Sequence, residues 1–143
     1  MIPEHLILPL DVETLLPHRP PMTMVDKLLE YVDGGGKVST IITDDNIFVD
    51  STGCMEIIGI VEIIAQAYAA IKGYDDAINK RQVKHGFLVG SRSLKGYRPP
   101  HVGDKLIIEI QTAAVLDQFS VVEGSITCEE ELIAEGSVKL WLP

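Results

Sequence analysis

Apolar residues recur along this chain with two different periods, and the change of period divides it. Leu106, Ile108 and Ile110 alternate with Lys105, Ile107, Glu109 and Gln111, the two-residue repeat of a strand with one buried face. Phe119 to Thr127 and Leu132 to Leu142 are similarly rich in β-branched or large apolar residues, and "SVKLWL" sets Val138, Leu140 and Leu142 on one side. Nearer the amino terminus, Met24 to Val32 and Lys37 to Thr43 flank Asp33 to Gly36, a glycine run able to supply positive φ, so this pattern predicts a hairpin. Between these regions the period changes. Glu56 to Lys72, "EIIGIVEIIAQAYAAIK", is apolar on nearly every face and ends in Lys72-Gly73, a basic last turn followed by a glycine stop, which predicts a helix enclosed on most sides.

The remaining segments are shorter. Gly86 to Arg98 reads as a further strand, broken or bulged near Gly90 and Gly96. Asp11 can cap a short amino-terminal helix, after which Pro17 to Pro21 should run extended. The sum is an α+β arrangement of one long buried helix and five to seven antiparallel strands, a single domain over 1–143 without internal repeats.

Composition narrows the function. Twelve basic against twenty-one acidic residues give a formal charge of −9, which argues against nucleic-acid binding because a phosphate backbone rewards a basic surface. The charge is uneven, however. Ala77 to Gly103 contains no Asp or Glu, yet holds Lys80, Arg81, Lys84, Arg92, Lys95 and Arg98. Such a segment suits a small anionic ligand or an acidic partner, and equally a solvated loop. Cys54 and Cys128 stand in no metal-binding spacing, so unpaired thiols in a reducing compartment are the simplest account. No basic n-region opens the chain, and the longest apolar run is short for a membrane span and carries Glu62 in its middle. A cytoplasmic protein without membrane partners is expected.

Glu62 is the sharpest chemical feature. Its helical neighbours are Ile58, Gly59, Ala65 and Gln66, so its carboxylate emerges among apolar groups with one amide on the same face. Burial without a cation would favour the protonated form, as a general acid requires; the competing reading has Glu62 reaching solvent or a backbone donor at a subunit contact. Unpaired N–H groups near Gly53 to Glu56, at the helix start, could polarise a carbonyl oxygen. Proline residues fence His18, while His101 precedes a strand, His5 is expected to be exposed and His85 stands at a strand start. On spacing alone all four histidines read as structural. "VDGGGK" lacks P-loop spacing, and "LVGSRS" does not match a nucleophile elbow.

"LLPHRPPMTMVDKLLE" resembles the amino-terminal signature of FabZ-type 3-hydroxyacyl-(acyl carrier protein) dehydratases, L-P-H-R-x-P followed by apolar residues and V-D. "EIIAQAYA" is similar to that family's E-A-x-A-Q-A helix motif, and "FLVGSRSLKGYRPPHVGDKL" to its F-x-G…F-R-x-P-x-x-P-G-D segment. "PHRPPM" and "GFLVGS" resemble a divergent branch more closely, the dehydratase-like proteins of aryl-polyene-type gene clusters. The resemblance implies a hotdog fold, a curved antiparallel sheet wrapped around one long central helix. It implies a 3-hydroxyacyl thioester dehydratase without metal or redox cofactor, acting on acyl carrier protein or coenzyme A thioesters as a homodimer or as a heterodimer with another hotdog protein. It aligns Glu62 with the family's catalytic acidic residue and Gln66 with the glutamine one turn later; His18, held by its prolines, is the candidate for an inherited catalytic role, and Gln66, Gly53, Gly90 and Arg92 are the candidates for substrate binding. One departure stands out: Ser51-Thr52 occupies the place of the family's Gly-His, so the usual histidine base is missing. An acyl-binding subunit without activity of its own, or an acyl thioesterase, are the alternatives this leaves.

Overall fold

The alternation in the second half of the chain is realised as three long antiparallel strands. In the computed structural model, which describes residues 2–82 and 86–143, these are β5 (Lys105–Leu116), β6 (Phe119–Cys128) and β7 (Glu131–Trp141). Leu106, Ile108 and Ile110 are all buried, whereas Lys105, Glu109 and Gln111 face outward. The sheet is completed by β1 (Leu10–Asp11), β2 (Lys27–Val32), β3 (Gly35–Ile41) and β4 (Phe87–Gly96), in the spatial order β1-β2-β3-β5-β6-β7-β4. The predicted hairpin is β2–β3, with its turn at Asp33-Gly34. Gly35 belongs to β3, where a Cβ would stand 2.3 Å from the Ile110 carbonyl oxygen; this glycine permits close strand approach rather than a turn. β4 is irregular opposite β7 between Leu88 and Gly90 and between Arg92 and Lys95, which places one of the two predicted breaks as expected.

The central helix α1 spans Ile57–Ile78, six residues beyond the predicted end at Lys72. Gly73 is not a stop but a contact: a Cβ there would lie 2.6 Å from the Leu15 carbonyl oxygen, so the helix and the amino-terminal segment touch through its missing side chain. The helix ends at Asn79 and Lys80, the latter at φ 54, with the Arg81 N–H donating to the Asp76 carbonyl. Its 22 residues are long enough to cross a membrane. Enclosure, not length, marks it as a core helix, because 72% of its most apolar window is buried within the protein.

Ile60, Ile63, Ile64, Ala67 and Ile71 of α1 meet Val38, Leu106, Ile108, Val122, Ile126 and Ile133 of the sheet in one buried cluster. The amino-terminal residues close the far end of the helix. Tyr74 is buried and donates its hydroxyl to the Leu6 carbonyl at 2.9 Å, and the predicted Asp11-capped helix is one 3-10 turn, Val12–Thr14, with Asp11 Oδ1 accepting from the Glu13 N–H at 2.9 Å.

Candidate active site

Glu62 and Gln66 are one helical turn apart, so α1 presents both on the same side. Gln66 Nε2 donates to Glu62 Oε1 at 3.0 Å and to the Met22 carbonyl at 2.9 Å, while its Oε1 accepts from the Met24 N–H at 2.7 Å. Gln66 is 2% exposed. Its amide is thus engaged with protein groups on both sides, and it fixes the carboxylate of Glu62 to the segment that follows the proline run. The proline run itself, Pro17 to Pro21, is not extended throughout as predicted. The chain turns, with the Met22 N–H donating to the Arg19 carbonyl at 2.8 Å and a cis peptide bond at Pro20-Pro21.

The same strap carries His18. Arg19 Nη1 donates to the carbonyls of Leu16 and His18 at 2.8 and 2.7 Å, which ties the backbone around the imidazole. His18 is half-buried, and its Nδ1 is buried without a hydrogen-bond partner among the described residues. His18, Glu62 and Gln66 line one cavity of about 210 Å³ whose remaining wall is largely apolar, formed by Leu15, Leu16 and Ala65, by Phe87 and Leu88 of β4, and by Leu140 of β7. Glu62 is half-buried there, and among the described residues no cation is paired with it. Lys72 reaches the same cavity, but its Nζ lies 2.9 Å from Asp76 Oδ1.

The other residues singled out from the sequence lie elsewhere. Gly53 stands in the turn before α1, where its carbonyl accepts from the Val102 N–H, and it does not line the Glu62 cavity. Gly90 and Arg92 line a separate cavity of about 360 Å³ with Leu116, Phe119 and Lys139. In the turn that holds Ser51-Thr52, Asp50 Oδ1 accepts from the Thr52 hydroxyl and from the Thr52 and Cys54 N–H groups. These bonds hold the exposed Asp50 carboxyl below the usual carboxylate range. The imidazole reaching this turn is His101, whose Nε2 lies 3.1 Å from Cys54 Sγ. Of the basic segment, Arg81 is bound to Asp75 and Asp76 and Arg98 to Asp104; Lys80, Arg92 and Lys95 are exposed. Lys84 and His85 lie outside the described residues.

Sequence reasoning overlooked Ala69 and Lys72 as part of this wall. The signal was present, because Glu62, Ala65, Ala69 and Lys72 follow the i, i+3, i+7, i+10 spacing of a single helical stripe.

Comparison with known proteins bears on the family and the fold. A profile of the ApeP-like family, described as ApeP dehydratase, matches residues 10–143. The 3-hydroxyacyl-(acyl-carrier-protein) dehydratase FabZ of Thermomicrobium roseum is 28% identical over 133 residues, covering 89% of this chain and 87% of that protein. The FabZ of Chlamydia muridarum is 25% identical over 141 residues, covering 92% and 90%. Among solved structures, the dehydratase heterocomplex ApeI:P from Xenorhabdus doucetiae superposes with a TM-score of 0.86 at 22% identity, covering 94% of this chain and 91% of that one. A hypothetical thioesterase from Streptococcus pneumoniae, solved with coenzyme A, superposes at 0.64 with 14% identity, covering 81% and 84%. The shared architecture is the hotdog fold.

Proposed function

From the premise that the chain belongs to the ApeP-like dehydratase family, we propose that it removes water from 3-hydroxyacyl thioesters, with Glu62 and His18 at the reacting carbons. The observation that carries this reading is the joint placement of both side chains on one largely apolar cavity, with Gln66 holding the Glu62 carboxylate. An acyl chain fits the apolar wall, and the two polar groups face it from the helix and from the strap. The base removes a proton from C2 and the acid delivers a proton to the 3-hydroxyl. The C3–O bond then breaks, water departs and a trans-2-enoyl thioester is left. His18 serves as the base and Glu62 as the acid; neither step calls on a metal or a redox group.

A carrier-bound or coenzyme A thioester suits the exposed cations Arg92 and Lys95, which would meet the phosphate of a pantetheine arm or an acidic carrier surface. The whole chain acts as one hotdog unit beside a second. Among the described residues, strand β4 pairs only with β7 and exposes Phe87, Leu88 and Val89, so its other edge can take another strand. A second copy of β4 would offer no carboxylate to pair with Arg92 and Lys95, which favours an unlike hotdog chain. The Xenorhabdus protein of the same fold is described in a heterocomplex.

Incubation with 3-hydroxyacyl thioesters, alone and with such a partner, tests the reading by following enoyl absorbance and thiol release together. Enoyl formation that disappears in Glu62→Gln supports it. Thiol release without enoyl would assign a thioesterase instead. The replacement of the family's loop histidine by Ser51-Thr52 favours a second reading, an acyl-binding subunit without turnover, which acyl binding without either product would establish.

A further inference from the structure

The cavity at Glu62 follows α1 away from the polar groups. On the helix it passes Ala65 and Ala69 to Lys72, and on the sheet it passes Leu140 to Leu142. Beyond Lys72 a second cavity of about 530 Å³ opens toward the end of the helix and the β5–β6 turn, lined by Asp76, Arg81, Val115, Gln118 and Ser120. Three residues belong to both walls: Tyr68, Lys72 and Leu142.

Each of the three is anchored from a different side. Tyr68 is 7% exposed and donates its hydroxyl to Ser120 Oγ of β6 at 3.3 Å. Lys72 Nζ is held 2.9 Å from Asp76 Oδ1 and 3.6 Å from Asp75 Oδ2, which leaves its methylene stem along the cavity. The Leu142 N–H donates to the Gln118 carbonyl at 2.7 Å, and the Leu142 side chain covers Gly86, where a Cβ would stand 2.9 Å from Leu142 Cδ2. Tyr68 thus ties α1 to β6, and the Leu142 backbone, just past β7, is tied to the β5–β6 turn.

We infer that Tyr68, Lys72 and Leu142 form a bulkhead that sets the length of acyl chain accepted at Glu62. This inference rests on the acyl-thioester reading and deepens it by naming what limits the substrate. A chain entering from Glu62 gains apolar contact with each carbon until it meets the bulkhead; further carbons must then either buckle or displace a tethered side chain. Tyr68 is the bulkiest of the three and is buried. Leu142 contributes from the sheet side, and its removal disturbs fewer neighbours in the core.

Calorimetric binding of unreactive acyl-pantetheine amides, from roughly four to sixteen carbons, reads this directly, because each methylene still being buried tightens binding about fourfold. The wild-type protein, with its partner subunit where one is required, should follow that increment up to one length and then stop gaining. Tyr68→Ala and Leu142→Ala, each checked for folding by circular dichroism, should move the break to longer chains. An unbroken rise in the wild type overturns the inference, as does a break at the same length in either folded variant, or the absence of acyl binding. Enoyl formation assayed on the wild type in parallel judges the dehydratase reading separately, so a shifted break without enoyl product would retain the bulkhead and reject the reaction.

Discussion

In the first half of α1, Glu62 meets one neutral donor among the described residues, the Gln66 amide, and lines a cavity. Further along the same helix, Asp75 and Asp76 are surrounded: Tyr31 donates to Asp75, Arg81 reaches both carboxylates, and Lys72 lies within 2.9 Å of Asp76 and 3.6 Å of Asp75. Burial pushes the Asp75 carboxyl up, but the Tyr31 hydroxyl, Arg81 and Lys72 more than offset this and hold it below the usual carboxylate range. The same interaction, with burial as the larger cause, pushes the Tyr31 phenol up. The contrast separates two uses of an acidic side chain. A carboxylate enclosed by cations closes the helix end and cannot give up its partners without a cost to stability. One left with a neutral neighbour on a cavity wall keeps an oxygen within reach of whatever enters the cavity.

The largest effect is expected at Glu62. Glu62→Gln keeps the shape and should lower turnover by about a hundredfold to ten-thousandfold, the usual worth of a positioned acid, with little change in thermal midpoint; steady-state enoyl formation measures it. His18→Ala should remove about a hundredfold or more of the turnover while the fold stays intact by circular dichroism. Unchanged activity would leave His18 a structural residue. At the other end the effects should reverse. Asp76→Ala strands Lys72 and Arg81, and because the Asp76 side chain is only 4% exposed it should lower stability by about 2 kcal/mol, read from urea unfolding. The smallest effect is on pH. Asp75 and Asp104 both sit below the ordinary carboxylate value, so the stability they add is complete above about pH 4 and is lost as the pH falls through their folded values. Thermal melts across that acid range should show the decline, and Asp75→Asn should make it shallower.

The strands were legible where a side chain alternates between core and solvent, as at Leu106, Ile108 and Ile110. Binary pattern was less informative where packing decided. Gly73 carries the local signature of a helix stop, yet what uses it is the Leu15 carbonyl, distant in sequence. Strand β1 has only two residues and exists through its pairing with β2, so no period could announce it. In the site, the Glu62–Gln66 pair follows from helical spacing alone. The Met22 and Met24 backbone groups that Gln66 binds do not, because they arrive through the turn at Arg19–Met22. The role of Lys72 was obscured for a related reason: beside Gly73 it read as a basic last turn, when the helix continues past it to Ile78.

The bond from the Tyr74 hydroxyl to the Leu6 carbonyl also bounds how far the molecule can be shortened. Proteolytic trimming that removed Leu6 would strip a buried phenol of its acceptor and take a buried side chain out of the core, so Leu6, which does not line the cavity, belongs to the folded body while the exposed residues 2–5 before it do not bear on it.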